Sequence, residues 1–496
     1  MHFDYRITAL AILLLCISSL PLTSKAQIEL SGVQAGLLDP GDYLVVDDII
    51  VPIGATWTLS AGTNIFLLEE MRIFVNGSLI CQGTEQDSII IDAYDHEQRW
   101  DKILVDSFSD SCIVMNYCRV SHSNDFGIHI IGNNGFFYNS TISEINGTGI
   151  RSNYPIIVDN CIFTRCESSA IKFQGIYHAS VSNSTFINTD AGISASSIDL
   201  DHCYFSNVGR CLSIDIFSIN SSTVDSCYFE HNNSIYGVID NNADSTIYVE
   251  NSIFYSNTSK LIASVGPVHL ATSTFTENSA ASPAFSTVYD YDFYATNIIL
   301  NDNDYTMLLE QEDQNTVNII YSDIYNTTLN MTYPDTSLGV PYYTNLNGDS
   351  VDIYFNITSD PLFDTNADTL FQLTNLSPCI DAGNPDQPNN QDGTISDIGA
   401  IQYSYLSINE SVTNNMNRDT DNIKIFPNPT NSTLVVLNDN YYESRYHIYN
   451  IMGRHIAEGL LGRGVNTITL NNMNSGTYFI RFEHYPDNST KFILLK

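Results

Sequence analysis

Several stretches of the 496-residue sequence gather side chains capable of chemistry. In "VDNCIFTRCESSAIKF" (158–173), Cys161, Arg165, Cys166 and Glu167 fall within seven residues, a grouping open to metal binding, thiol chemistry or a disulfide. In "DLDHCYF" (199–205), Asp199 and Asp201 fall on one face of an extended strand with His202 between them. Two such carboxylates share a metal or a sugar hydroxyl, or form an ordinary solvated face. "CIDAGNPDQPNNQDGTISD" (379–397) supplies Asp381, Asp386, Asp392 and Asp397, an oxygen-rich set suited to calcium. Pro388, however, stands where the calcium-loop pattern needs its first Asp. "YDYDFY" (289–294) alternates tyrosine with acid, as an exposed ridge for sugar or as a strand with one buried face.

These residues sit within a repeat. Val120, Ile142, Phe163, Phe186, Phe205, Phe229, Phe254, Phe275, Leu300 and Ile324 recur at intervals of 19 to 25 residues, about 22.7 on average. Two residues before eight of these anchors stands a small side chain: Cys118, Ser140, Cys161, Ser184, Cys203, Cys227, Ser252 or Ser273. One position earlier lie Asn139, Asn160, Asn183, Asn251 and Asn297, placed to bond rung to rung and to tolerate a bend. A second column, from Gly127-Ile128 through Gly149-Ile150, Ala170-Ile171, Gly192-Ile193 and Cys211-Leu212 to Gly237-Val238, follows the anchors by seven to nine residues. Apolar and polar residues alternate with period two, so each unit holds short strands. A single coil of this size cannot bury its apolar side; stacked coils can, which predicts a parallel β-solenoid. Leucine-rich repeats need more leucines at fixed offsets, and propeller blades need about 40 residues or more.

The repeats resemble those of right-handed parallel β-helix proteins of the pectate-lyase-like superfamily. Residues 49–104 resemble that group's first coils, and "DPLF" (360–363), "SPCIDAG" (377–383) and "DIGA" (397–400) resemble a segment that closes such helices in secreted bacterial proteins. The resemblance implies right-handedness, which agrees with the general hand of parallel crossovers. The expected fold is all-β: a right-handed parallel β-helix over 27–405 (N-terminal coils 27–110, regular coils 111–330, closing segment 331–405), then a linker (406–421) and a small β-sandwich (422–496).

The sandwich segment is similar end to end to the type A sorting domain of type IX secretion, through Pro427-Asn428-Pro429, Gly453 and Gly476. That resemblance implies a Bacteroidetes-type bacterium, contact with the type IX secretion machinery, and passage through the periplasm to the outer surface or the medium. Residues 1–26 read as a signal peptide cut between Ala26 and Gln27, with a basic Arg6 before an apolar run. No later stretch approaches the 18 apolar residues of a membrane span, so no transmembrane segment is expected after cleavage.

The net charge is −37, and residues 421–496 hold 7 Lys/Arg against 6 Asp/Glu, so the body carries all of the excess. Such a body repels nucleic acid and anionic polysaccharide at long range. Nine cysteines remain after cleavage, an odd number that argues against complete pairing. Cys203 and Cys227 share a column on adjacent coils; the exchange of Ser for Cys down it favours packed free thiols over a disulfide.

The superfamily includes polysaccharide lyases and hydrolases. "NTDAGI" (188–193) resembles the polygalacturonase element in which an Asp is catalytic, which would make Asp190 the acid; it also falls where every repeat has its polar turn. An enzyme requires Asp190, Asp199, Asp201 or Asp215 to converge with a basic residue in one groove. Arg119, Arg151, Arg165, Lys172, Arg210 and Lys260 lie on different coils at different offsets and form no evident group. The leading expectation is a non-catalytic surface or secreted protein that binds glycan or mediates adhesion, with no cofactor other than possible calcium; the alternative is a polysaccharide lyase or glycoside hydrolase.

Overall fold

The computed structural model describes residues 28–403 and 423–494, apart from 107–110, 133, 176, 216–217, 219, 280–283, 288–290, 305–316, 328–336, 366, 368, 391–392, 427–432, 439–443, 451–453, 462–463, 471–472, 474–475 and 483–484. Ala26, Gln27, Asp392, Pro427, Asn428, Pro429, Gly453 and part of the 289–294 stretch lie outside the described residues. Among the described residues every regular element is a strand. The chain divides into two units, Met1–Ser407 and Ile408–Lys496.

In the first unit each coil has three faces. One coil runs through Ser197–Asp201, Tyr204–Ser206 and Arg210–Ile214, and Ser222–Asp225 begins the next. First-face strands stack into a 13-stranded sheet, and second- and third-face strands share a 24-stranded sheet. The coils pair in parallel.

The corners follow from backbone sterics. Asn139, Asn160, Asn183 and Asn251, between the first and second faces, have φ of 49° to 52°, and Asn188, Asn207 and Asn326, after the second face, have φ of 46° to 54°. Asparagine tolerates this left-handed conformation better than most side chains. The column of corner asparagines is only partly a ladder. Asn160 donates to Asn139 at 2.6 Å and Asn139 to Asn116 at 2.8 Å, but Asn183 and Asn251 donate to Asp159 and Asp225 at 2.7 and 2.8 Å.

All ten anchors stand in register on the second face. Phe163, Phe186, Phe205, Phe229, Phe254 and Phe275 form a stack with ring centroids 4.6–5.1 Å apart. That distance is about one rung, the inter-strand spacing of a β-sheet. The small column beside it is bonded from rung to rung at several steps: Cys161 N–H donates to Ser184 Oγ at 3.1 Å, Cys203 N–H to Cys227 Sγ at 3.4 Å, and Cys227 N–H to Ser252 Oγ at 3.1 Å. A larger side chain here would remove these acceptors and leave buried N–H groups unpaired.

On the third face Ile128, Ile150, Ile171, Ile193 and Leu212 align, but Leu212 then pairs with Ile239 rather than Val238. The Gly237-Val238 pair is therefore one residue out of register. The small residue before each aliphatic has a steric cause at Gly192, where a Cβ would lie 2.5 Å from the Cys211 carbonyl oxygen.

A buried asparagine ladder absent from the sequence reading runs three residues past the anchors. Asn232, Asn257 and Asn278 each donate Nδ2 to Oδ1 of the asparagine one rung on, ending at Asn303, at 2.9–3.0 Å. Each Nδ2 also donates to the anchor carbonyl of the preceding coil, Asn257 to Phe229 at 2.9 Å, and each Oδ1 accepts a backbone N–H, Asn257 from Asn232 at 3.0 Å.

The closing segment is knitted onto the last coils. Asn297 Nδ2 donates to Ser396 Oγ at 2.9 Å, and its Oδ1 accepts from Asn384 N–H at 2.7 Å. Val351, Ile357, Leu373, Cys379, Ile380 and Ile398 cluster with Ile299. Beneath them Asp323 is buried, with Cys379 Sγ 3.3 Å from Oδ2, and burial pushes its carboxyl up to about 8.

The second unit has antiparallel sheets of three and four strands. Its core is Leu434, Val436, Ile448, Leu461, Ile468, Leu470, Met473, Tyr478, Ile480 and Leu494.

Asn257→Ala removes a side chain whose donor and acceptor are both used inside the solenoid. Unpaired buried polar groups cost about 1–3 kcal/mol each, so this variant is expected to lose roughly 2–4 kcal/mol in urea unfolding, against less than about 1 kcal/mol for Thr223→Ala on the outer face. Equal losses for the two would contradict the ladder's role.

Candidate functional site

Since inward columns are filled by packing, chemistry is left to the outward ones. On the first face, Asp159, Ser182, Asp201, Asp225 and Glu250 stand in register on five successive rungs. Asp159 is compensated: Ser182 Oγ and Asn183 Nδ2 both donate to it at 2.7 Å. Asp201 lies 2.6 Å from the Nδ1 of His202. Asp225 accepts from Asn251 Nδ2 at 2.8 Å and from Ser226 Oγ at 3.1 Å. Burial and the neighbouring Asp225 charge raise the Glu250 carboxyl above its ordinary range.

Two residues back along the same strands lies a second outward column: Ser180, Asp199, Thr223, Tyr248, His269 and Tyr294. Asp199 accepts from Thr223 Oγ1 at 2.6 Å and lies 2.8 Å from His178 Nε2. The rings of Tyr248, His269 and Tyr294 follow one another at 5.0 and 4.8 Å. Half-buried rings thus follow Asp199 in one column, with Thr223 on the rung between, and Tyr248 shares its strand with Glu250. Of the 289–294 stretch, Phe293 faces inward and Tyr294 outward.

Asp199 and Asp201 do share a face, but Asp190 and Asp215 lie elsewhere. Asp190 is exposed at the turn before Ala191–Ala195, where its carbonyl accepts the Arg210 N–H at 3.3 Å. Asp215 follows Arg210–Ile214 at the opposite end of the third face, its N–H bonded to the Ala195 carbonyl at 2.9 Å. Strand rise of about 3.3 Å per residue separates those two ends by roughly 20 Å. The four aspartates therefore form no single acid–base group.

Two of the basic residues do group, since Arg151 and Lys172 each stand nine residues past their anchors, Ile142 and Phe163, and not at different offsets. His129, Arg151 and Lys172 stand in register on the third face, because the strands Phe126–Ile130, Thr148–Ser152 and Ser169–Phe173 are aligned rung on rung. Arg151 and Lys102 both lie over the Phe126 ring, at 5.2 and 5.0 Å. Burial and the charges of Arg151 and Lys102 lower the basicity of His129. Farther along, Arg210 Nη1 donates to Asp240 at 2.9 Å and stacks over Tyr236 at 4.5 Å. Burial raises the Asp215 carboxyl, and the charges of Lys172 and Arg210 partly oppose it.

The cysteines are packing residues. All nine after position 26 are free. Burial pushes both the Cys161 and Cys166 thiols up to about 12, so neither is a thiolate at neutral pH. Cys166 faces the core at the end of the strand Ile162–Cys166, while Arg165 turns outward to pair with Glu144. In the 381–397 loop, Asp397 accepts the N–H groups of Asp381 at 2.9 Å and Tyr403 at 2.6 Å, and Asp386 N–H is bonded to Asn384 at 3.0 Å. These bonds close the loop on itself.

The architecture and the antiparallel appendage define a solenoid protein with a separate C-terminal module. Residues 101–262 match the family model of the right handed beta helix region, and residues 424–496 match that of the secretion system C-terminal sorting domain. Among solved structures, the crystal structure of pectate lyase Pel9A is similar at 16% identity and TM-score 0.35, over 71% of this chain and 89% of that one. No curated protein matches. The chain is a right-handed β-helix protein carrying a type IX secretion sorting tail, exported to the cell surface or the medium. Among the described residues no helix is long and apolar enough to cross a membrane.

Deleting residues 422–496 is expected to leave the protein in the periplasm, as read by immunoblots of cell fractions. Undiminished appearance of the truncated chain outside the cell would contradict the sorting role.

Proposed function

We propose that this protein binds a neutral glycan on the first face of its β-helix and does not cleave it. The observation that carries this reading is the ladder Tyr248–His269–Tyr294, on one sheet with the carboxylates of Asp199, Asp201, Asp225 and Glu250. Aromatic rings offer apolar faces to pyranose rings, and carboxylates accept hydrogen bonds from sugar hydroxyls. A rung spacing of about 4.8 Å repeated along one flat sheet suits an extended chain better than a compact ligand. The net charge of −37 favours a neutral polymer over an anionic one.

One observation supports the enzymatic alternative, a lyase or hydrolase: Asp215 is a half-buried carboxyl within the fields of Lys172 and Arg210. Cleavage there would need a second acid or a base within reach of the same bond.

A glycan array followed by calorimetry on the mature chain separates these readings. Tyr248→Ala and Tyr294→Ala are each expected to weaken binding of a neutral glycan by about 3- to 10-fold, from the roughly 0.5–1.5 kcal/mol carried by ring stacking. Asp215→Asn is expected to leave that binding unchanged. Release of reducing ends or unsaturated products from a polysaccharide, abolished by Asp215→Asn, would overturn the non-catalytic reading.

A further inference from the structure

Neither outward column contains the cluster of Asp92, His96 and His122 in the first coils. Asp92 lies near the end of the strand Ile89–Ala93. His122 is the corner residue after Cys118–Ser121 on the next coil, and the register Ile91 to Val120 places these two strand ends side by side. His96 comes from the loop between the strands Ile89–Ala93 and Ile103–Val105, on the same coil as Asp92. His122 Nδ1 is 2.8 Å from Asp92 Oδ1, and His96 Nε2 is 3.3 Å from Asp92 Oδ2. The two imidazole rings are stacked 3.9 Å apart with 3° between their planes. The three potential ligand atoms all lie within 4.8 Å of one another.

The supporting structure holds these groups in place. The His96 loop is a tight turn, with Gln98 N–H bonded to the Asp95 carbonyl at 2.9 Å and Glu97 N–H to Asp95 Oδ1 at 3.1 Å. Its far end is fixed by the buried Trp100, whose Nε1 donates to the Ser121 carbonyl at 2.7 Å. Asp92 is oriented by the Ala93 N–H at 2.8 Å.

We propose that Asp92, His96 and His122 bind a first-row transition metal ion of the zinc class, leaving a coordination position open to solvent. Zinc bonds of about 2.0–2.2 Å to nitrogen and oxygen place tetrahedral ligand atoms roughly 3.3 Å apart. The separations of 2.8 and 3.3 Å are close to that spacing, but an ion lies in the plane of each imidazole that binds it, so the exposed His96 ring must swing out of its parallel stack on His122 as the ion enters. Two imidazoles and one carboxylate select zinc, copper or nickel over calcium or magnesium, which prefer all-oxygen sites. The anionic body adds a favourable field for any cation. Three protein ligands leave the fourth tetrahedral position for water or a ligand group, and His96, with 56% of its side chain exposed, lies at the solvent side.

A second cluster on the sorting tail must be removed from the test. His447 Nδ1 lies 3.3 Å from His455 Nε2 and 3.4 Å from Glu458, on an exposed sheet. The experiment is therefore zinc titration by calorimetry on the mature full chain carrying His447→Ala and His455→Ala. One zinc per chain is expected, with no heat from millimolar calcium. Adding His96→Ala, a loop change outside the core, is expected to weaken zinc binding by at least about 100-fold, beyond the range for losing a mere supporting partner. Asp92→Asn is expected to do the same, with far-UV circular dichroism unchanged. Absence of zinc binding in the parent, undiminished binding after His96→Ala, or calcium binding as tight as zinc would each overturn the assignment, leaving a pair of imidazole–carboxylate hydrogen bonds.

Discussion

The parallel, in-register stacking of coils is the constraint on which the rest of this structure depends. Each backbone hydrogen bond between rungs places a residue directly over its counterpart, so a side chain is judged by what lies one rung above and below it. Like residues therefore collect in columns. The Phe163–Phe275 rings stack face to face because their backbones are already one rung apart. The Ser/Cys column stays small because its side chains accept backbone N–H groups from neighbouring coils. Buried asparagine is tolerated from Asn232 to Asn303 because a rung's distance also suits one amide donating to the next.

The same alignment acts on the outside with the opposite electrostatic sign. Carboxylates forced into register repel each other, and the protein answers position by position. Asp159 is held by Ser182 and Asn183, Asp201 sits against His202, and Asp225 takes the Asn251 amide. Glu250, next to Asp225, has its carboxyl raised. On the third face the repeat gathers His129, Arg151 and Lys172 into a local basic column within a strongly acidic body. Surface columns of this kind are extended, linear and regularly spaced, which suits polymeric ligands.

The anchor column was legible in the sequence because one bulky apolar residue recurs every 19–25 positions against a polar background. The buried asparagine ladder was harder to see: asparagine is abundant throughout, and only the Phe229–Asn232, Phe254–Asn257 and Phe275–Asn278 spacing of three marks its column. Offsets measured from the anchors also failed where loops vary in length. Val238 appeared aligned although Ile239 holds that place, whereas Arg151 and Lys172, register partners, do share an offset of nine from the anchors Ile142 and Phe163. Asp92 and His122 are 30 residues apart in coils of irregular length, so nothing in the sequence brought them together. Asp190, which carries the most suggestive motif, and Asp215 lie at opposite ends of the third face. Motif spacing reports on columns; sites are built across them.

The most direct test of the coil as the interchangeable unit is to excise one. Removing residues 232–256 joins His231 to Asn257, and the register places Asn257 where Asn232 stood. Circular dichroism and urea unfolding of this shortened chain should show an intact β-solenoid with a cooperative transition, since every inward column continues across the junction. An unfolded or aggregated product would contradict the view that in-register columns, rather than contacts particular to each coil, determine the fold.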